Sequence, residues 1–177
     1  YDAGGAMFRV KKGPGGFATE KVFAHAADEW NSEVQTPIVF QGHLFAVGKK
    51  KRGLFTCVAP DGKQVWTSEG KASFELGSFL LADGMFLILE GKTGVLRLVE
   101  ASTTAYKELA SAPVLKGPDV WGPLALSDGK LVVRDLGRMV CLEPAEETAL
   151  CTLSGVQPKQ GILDSHHRML VLLARSG

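Results

Sequence analysis

Short apolar stretches of three to six residues, each interrupted by a turn that ends in glycine, run along most of the chain. Three such stretches align: Thr36-Pro-Ile-Val-Phe-Gln-Gly-His-Leu-Phe-Ala-Val47, Ser78-Phe-Leu-Leu-Ala-Asp-Gly-Met-Phe-Leu-Ile-Leu89 and Gly122-Pro-Leu-Ala-Leu-Ser-Asp-Gly-Lys-Leu-Val-Val133. Each predicts two β-strands about a tight turn, because Gln-Gly and Asp-Gly supply the backbone geometry that short hairpins need. Their glycines, Gly42, Gly84 and Gly129, recur 42 and then 45 residues apart. A weaker fourth copy runs from Gly161 to Leu172, with His166-His167 at the turn.

The residues after each hairpin repeat as well. Phe55-Thr56-Cys57-Val58 matches Met139-Val140-Cys141-Leu142, Pro60 matches Pro144, and Val95-Leu96-Arg97-Leu98-Val99 takes the same place in the middle copy. A fully read unit is the strand, turn and strand of Cys57-Val58-Ala59-Pro60-Asp61-Gly62-Lys63-Gln64-Val65-Trp66, in which Asp61-Gly62 predicts a two-residue hairpin. Each period therefore holds four short strands, and helical periodicity is nearly absent. A lone hairpin cannot bury its own faces, so the units must pack on one another.

Four strands in about 40 to 45 residues predict an all-β fold, a β-propeller made of four-stranded antiparallel blades. The blades fall at 36–75, 77–116 and 118–154, with half blades at 1–35 and 155–177. In the first half blade, Met7 to Phe23 would supply two outer strands; in the last, Gly161 to Leu173 would supply two inner ones. The two halves could pair and close a four-bladed ring. The reading preferred here is a partial ring of about four blades from a larger seven- or eight-bladed propeller, since the chain opens Tyr1-Asp2-Ala3-Gly4-Gly5 without an initiator Met and reads as a trimmed piece.

Ala59-Pro60-Asp61-Gly62-Lys63-Gln64-Val65-Trp66 resembles a shortened tryptophan-docking motif of quinoprotein-type (PQQ-like) propeller repeats, and Asp128-Gly-Lys-Leu-Val-Val133 with Met139 to Leu142 is similar to their inner strands. That family includes dehydrogenases built on pyrroloquinoline quinone and the outer-membrane-assembly lipoprotein of the Bam complex. The resemblance implies a structural role for Ala59, Asp61, Gly62 and Trp66, with the indole lying between neighbouring blades. It also implies a periplasmic or otherwise extracytoplasmic location. The motif degenerates along the chain: the second unit offers Tyr106 or Leu109 nearby, and the third runs Glu143-Pro144-Ala145-Glu146-Glu147 without an aromatic. The family's enzymes hold quinone with calcium, using carboxylate and amide ligands and a vicinal disulfide. This chain has no adjacent cysteines, and its only asparagine is Asn31. The resemblance thus favours the non-catalytic scaffold members and no cofactor, with a fragment of a PQQ-dependent, calcium-bearing dehydrogenase as the alternative.

Composition narrows the partners. A formal net charge of +1, with 45% apolar and 22% charged residues, fits an ordinary globular chain and not a dedicated nucleic-acid binder. No apolar run reaches the roughly 20 residues of a membrane-spanning helix. Cys57, Cys141 and Cys151 form no CxxC pair and predict core packing, with a disulfide left open. His25, His43, His166 and His167 lack metal-ligand spacing, no serine sits in a GxSxG elbow, and Gly13-Pro14-Gly15-Gly16 has no following helix to cradle phosphate. Trp30 and Trp121 each precede an inner strand and predict wedges between blades.

In a four-stranded meander the turns after the first and third strands share one rim, and the loops after the second and fourth share the other. The second rim carries the varied loops, where binding concentrates. The cluster Lys49-Lys50-Lys51-Arg52, joined there by Lys92 and Arg138, forms a possible binding rim for an acidic protein partner, beside the plainer reading of a solvated hairpin tip. The expected partners are therefore a protein or the remaining blades of the same ring.

Overall fold

Two-residue turns with both residues at positive φ close three hairpins: Gln41-Gly42 (47° and 74°), Asp83-Gly84 (48° and 71°) and Asp128-Gly129 (50° and 75°). That geometry matches the right-handed twist of flanking strands, and the Gln-Gly and Asp-Gly pairs encode it. The computed structural model describes residues 4–27, 29–32, 34–48, 53–144 and 172–173.

The fold is all-β, with no helix among the described residues. Strands β1 (Gly5–Gly13) and β2 (Gly16–His25) form an N-terminal ribbon. The first sheet contains β3 (Ile38–Phe40), β4 (His43–Gly48), β5 (Leu54–Val58) and β6 (Gln64–Thr67). The second contains β7 (Phe79–Ala82), β8 (Met85–Leu89), β9 (Val95–Glu100) and β10 (Glu108–Pro113). The third contains β11 (Ala125–Ser127), β12 (Lys130–Arg134), β13 (Met139–Pro144) and β14 (Leu172–Leu173). In every sheet, neighbours in sequence are neighbours in space and all pairs are antiparallel. Each repeat up to residue 113 thus forms one four-stranded sheet. In the third sheet the edge beside β13 is taken, at Glu143 and Pro144, by Leu172–Leu173, residues that the repeat pattern assigns to a separate half unit. The rest of the predicted fourth copy, and the cluster Lys49 to Arg52, lie outside the described residues.

Alternation along the strands builds two cores. Phe86 and Ile88 of β8 face Phe45, Phe55, Cys57 and Trp66 of the first sheet. Leu87 and Leu89, one residue on, face Leu131, Val133, Val140 and Leu142 of the third. The second sheet is therefore covered on both faces, which is why β8 reads Met-Phe-Leu-Ile-Leu with no polar alternation. The N-terminal ribbon differs from this pattern: Phe8, Val10 and Phe17 are exposed, and the ribbon meets the first sheet where the Phe23 ring lies against Gly62.

Candidate inter-sheet site and rim

The turn at the start of β6 is not the predicted two-residue hairpin. The Gly62 amide donates to the Ala59 carbonyl (2.9 Å), so Pro60 and Asp61 are the central residues and Gly62 follows at φ 91°. Pro60 carries the fixed φ that the second position wants, and Asp61 Oδ1 accepts the Lys63 amide at 3.0 Å. Those bonds to Lys63, backbone first, hold the Asp61 carboxyl below its ordinary range. A side chain at position 62 would meet the Phe23 ring at 2.6 Å, so glycine is required sterically as well as conformationally.

Beyond this turn, β6 sends Trp66 into the space between the first and second sheets. Its ring packs edge-on to Tyr106 (6.1 Å) and tilted against Phe45 and Phe55 (5.8 Å each). Indole Nε1 donates to the Ser102 carbonyl at 3.1 Å, in the loop between β9 and β10. A single side chain thus buries aromatic area and satisfies its one polar group across the two sheets. Ala59 is half-buried and Asp61 is exposed. The ladder register identifies the matching position in the second sheet. Trp66 pairs with Cys57, which pairs with Phe45; Ala110 pairs with Leu98, which pairs with Leu87. Phe45 and Leu87 each lie three residues past the hairpin glycine, so the docking position is Ala110, and neither Tyr106 nor Leu109 occupies it.

Behind Tyr106 lies an ionic cluster that the repeat pattern does not single out. Arg97 donates from Nε to Glu90 Oε1 (2.6 Å) and from Nη1 to both Glu108 oxygens (2.9 and 2.7 Å), while Tyr106 Oη donates to Glu108 Oε2 (3.2 Å). Thr93 donates to the second Glu90 oxygen. Burial tends to lower the Arg97 pKa, but the hydrogen bonds to Glu90 and Glu108 outweigh it and the net shift is upward. Burial, ahead of the Glu108 charge, raises that of Tyr106. The cluster fastens β8, β9 and β10 on the face turned to the first sheet. Its only sequence signal is one arginine amid the apolar run of β9.

The loops sort onto two rims. At one, the Ala101 amide donates to the Gly84 carbonyl (2.9 Å), and Pro60 lies beside Gly42. At the other, each loop after a second strand bonds the connection that leaves the fourth: Phe74 N to Gly53 O (2.6 Å), Val114 N to Gly94 O (3.0 Å) and Gly117 N to Asp135 Oδ2 (3.2 Å). Asp135 Oδ1 also accepts the Gly137 and Arg138 amides at 2.8 and 2.7 Å, and these bonds, Gly137 first, lower its pKa. Lys92 and Arg138 are exposed on this second rim, in the loops after β8 and β12. No hydrogen bond or ion pair joins the two side chains, so the structure gives a shared rim but no assembled cationic site among the described residues.

The segments leading into the three first strands converge. Ser78 Oγ, just before β7, donates to the Gly122 carbonyl ahead of β11 (2.7 Å), and Gln35 Nε2, ahead of β3, donates to the Trp121 carbonyl (3.2 Å). The Trp121 indole is 41% exposed, so it is the backbone of Trp121, and not the predicted wedging ring, that makes the contact. Trp30 does pack against the first core, edge-on to His25 at 5.9 Å. Cys57 and Cys141 are free thiols. Cys57 fits the core packing predicted for it, but Cys141 is exposed, because no sheet among the described residues covers that face of the third sheet. Among the described residues no three His, Cys, Asp or Glu side chains gather as a metal site would. No helix is long and apolar enough to cross a membrane, which leaves membrane β-barrels unaddressed.

No protein-family model matches the chain, and no curated protein matches it either.

Proposed function

We propose that the ribbon and the three sheets are part of a β-propeller of quinoprotein-like repeats, and that the chain acts as a non-catalytic scaffold or binding module in protein–protein interaction at the cell envelope. The observation that carries the architecture is the Gln35–Trp121 hydrogen bond. It joins the lead-ins of the first and third sheets although the second sheet separates them, as strands radiating from a common centre require. The inter-sheet position of Trp66, bonded to Ser102, supports the docking-motif resemblance, with Ala59, Asp61 and Gly62 shaping the turn before it.

The binding surface in this proposal is the rim of longer loops, where Lys92 and Arg138 face solvent and Lys49, Lys50, Lys51 and Arg52 belong in sequence. An acidic protein segment is the complementary partner. Periplasmic placement comes only from the family resemblance. The test is to titrate the chain with an acidic peptide of alternating Glu and Ser across a range of salt, for the parent and a Lys92→Glu, Arg138→Glu variant. Affinity should fall with salt and fall again in the variant; equal binding by both would remove the rim from the proposal. A parallel titration with pyrroloquinoline quinone and calcium should show no complex, and stoichiometric binding would instead favour the dehydrogenase fragment.

A further inference from the structure

Strand β1 holds the place of a third strand whose inner neighbours are not among the described residues. Gly4 precedes β1 at φ 77°, as Gly53 precedes β5 at 70° and Gly94 precedes β9 at 71°. A Cβ on each would strike the connection after the following strand: His25 O at 2.1 Å, Glu75 N at 1.9 Å and Leu115 O at 2.5 Å. The inner edge of β5 is taken by β4 and that of β9 by β8, but the inner edge of β1 pairs with no described strand.

Two independent observations show what that edge lacks. Val39 is 66% exposed on the face of β3 turned away from the second sheet. Its register equivalents, Leu81 and Leu126, both pack against the preceding sheet. Val39 thus projects where the inner strands of a preceding sheet would lie. Near the start of β1, whose Gly5 lies against the Trp30 ring, buried polar atoms have no partner: Trp30 Nε1, His25 Nε2, and both Nδ2 and Oδ1 of Asn31, a residue only 5% exposed. Leaving such groups unpaired costs roughly 1–3 kcal/mol each. A backbone strand, carrying a donor and an acceptor on every residue, is a chemistry suited to amide and indole groups together.

We infer that the inner edge of β1 is a strand-addition site that takes an apolar β-hairpin from another protein, its second strand pairing antiparallel with β1 and its first covering Val39. The charges favour a foreign strand over a second copy. Arg9, Lys11 and Lys12 lie on β1 with only Glu20 to meet the first two, at 3.7 and 2.7 Å, so two β1 edges paired with each other would oppose like charges. The incoming hairpin should carry acidic residues. The proposal rests on the four-strand repeat and not on ring closure or the cationic rim, so it can fail while those stand.

The probe is the sequence of residues 78–90, an inner hairpin carrying Asp83 and Glu90, displayed on a soluble carrier and compared with a scrambled version. Hydrogen exchange should show new protection of Gly5–Gly13 amides on saturable binding, absent with the scrambled probe. Asn31→Leu should weaken binding about tenfold while leaving the denaturation midpoint unchanged or raised, whereas a purely structural asparagine would lower it. Val39→Asp, on an exposed site, should also weaken binding and serves if the Asn31 variant does not fold. The proposal is overturned if β1 amides are already protected in the isolated chain at every concentration, which would mean that its own segment covers them. Protection that appears with a doubling of mass, showing a second copy, overturns it too, as does the absence of saturable probe binding.

Discussion

Cys57 and Cys141 occupy the same register position two repeats apart, opposite Phe45 and Val132 respectively, yet one thiol is fully buried and the other exposed. Phe45 and Val132 each lie three residues past the hairpin glycine, so the equivalence is one of fold and not merely of spacing. What differs is the neighbour: the second sheet covers Cys57. Against a Cys151→Ser background, Cys141 should react with a thiol reagent in the native state at close to the rate of a free thiol, and Cys57 only at the rate of unfolding. Equal fast labelling of both would contradict the first core.

Burial pushes the Cys57 thiol from 9.0 up to about 11. The folded chain therefore holds that proton more tightly than the unfolded chain. Its contribution to stability is complete below about pH 9 and is lost as pH rises toward 11, at roughly 1.4 kcal/mol per pH unit. Cys57→Ala should be less stable near neutral pH because of the cavity, but should show a flatter alkaline decline. Parallel pH curves for the two proteins, measured by urea denaturation, would refute the assignment.

Trp66→Ala removes both the ring between the first and second sheets and the bond to Ser102, and should cost ~3–5 kcal/mol. Trp66→Phe keeps most of the aromatic contact but strands the Ser102 carbonyl, and should cost ~1–2 kcal/mol. Equilibrium denaturation gives both values, and the ordering is the informative part. A Phe variant as damaged as the Ala variant would mean that the hydrogen bond and not the ring dominates.

Glycine substitutions separate close approach from backbone conformation. Gly77 has the Leu89 carbonyl oxygen 1.8 Å from where a Cβ would sit, whereas Gly70, at φ 72°, faces open space. Gly70→Ala should cost ~1–2 kcal/mol from conformation alone. Gly77→Ala should cost ~3 kcal/mol or more, because the obstacle is backbone that cannot move aside. Melting temperatures of the two variants test the contrast.

The strands and the three two-residue hairpins were legible because Gln41-Gly42, Asp83-Gly84 and Asp128-Gly129 encode a local conformation that needs nothing from the rest of the chain. Trp66 was legible for a related reason, since a large indole after a turn motif has few places to go. The turn before it was misplaced by one residue because Pro60 competes with Gly62 for the role of organiser, and the hydrogen bond from Gly62 to Ala59 decides for Pro60. The docking position in the second sheet eluded the sequence because the register shifts between Glu108 and Ala110, and one slipped residue exchanges the faces of a strand. The cluster of Arg97, Glu90 and Glu108 was invisible for want of proximity in sequence: three ordinary charged residues become a unit only after β8, β9 and β10 have paired.

The double coverage of the second sheet has a consequence for how the chain can be divided. A protease or a designer cutting in the linker before Phe79 or after Pro113 would leave Phe86 and Ile88, or Leu87 and Leu89, bare to water, so neither product should survive as a tidy module. Repeats that look separable in sequence are here interlocked, and the smallest stable fragment has to keep the second sheet with a neighbour on each side.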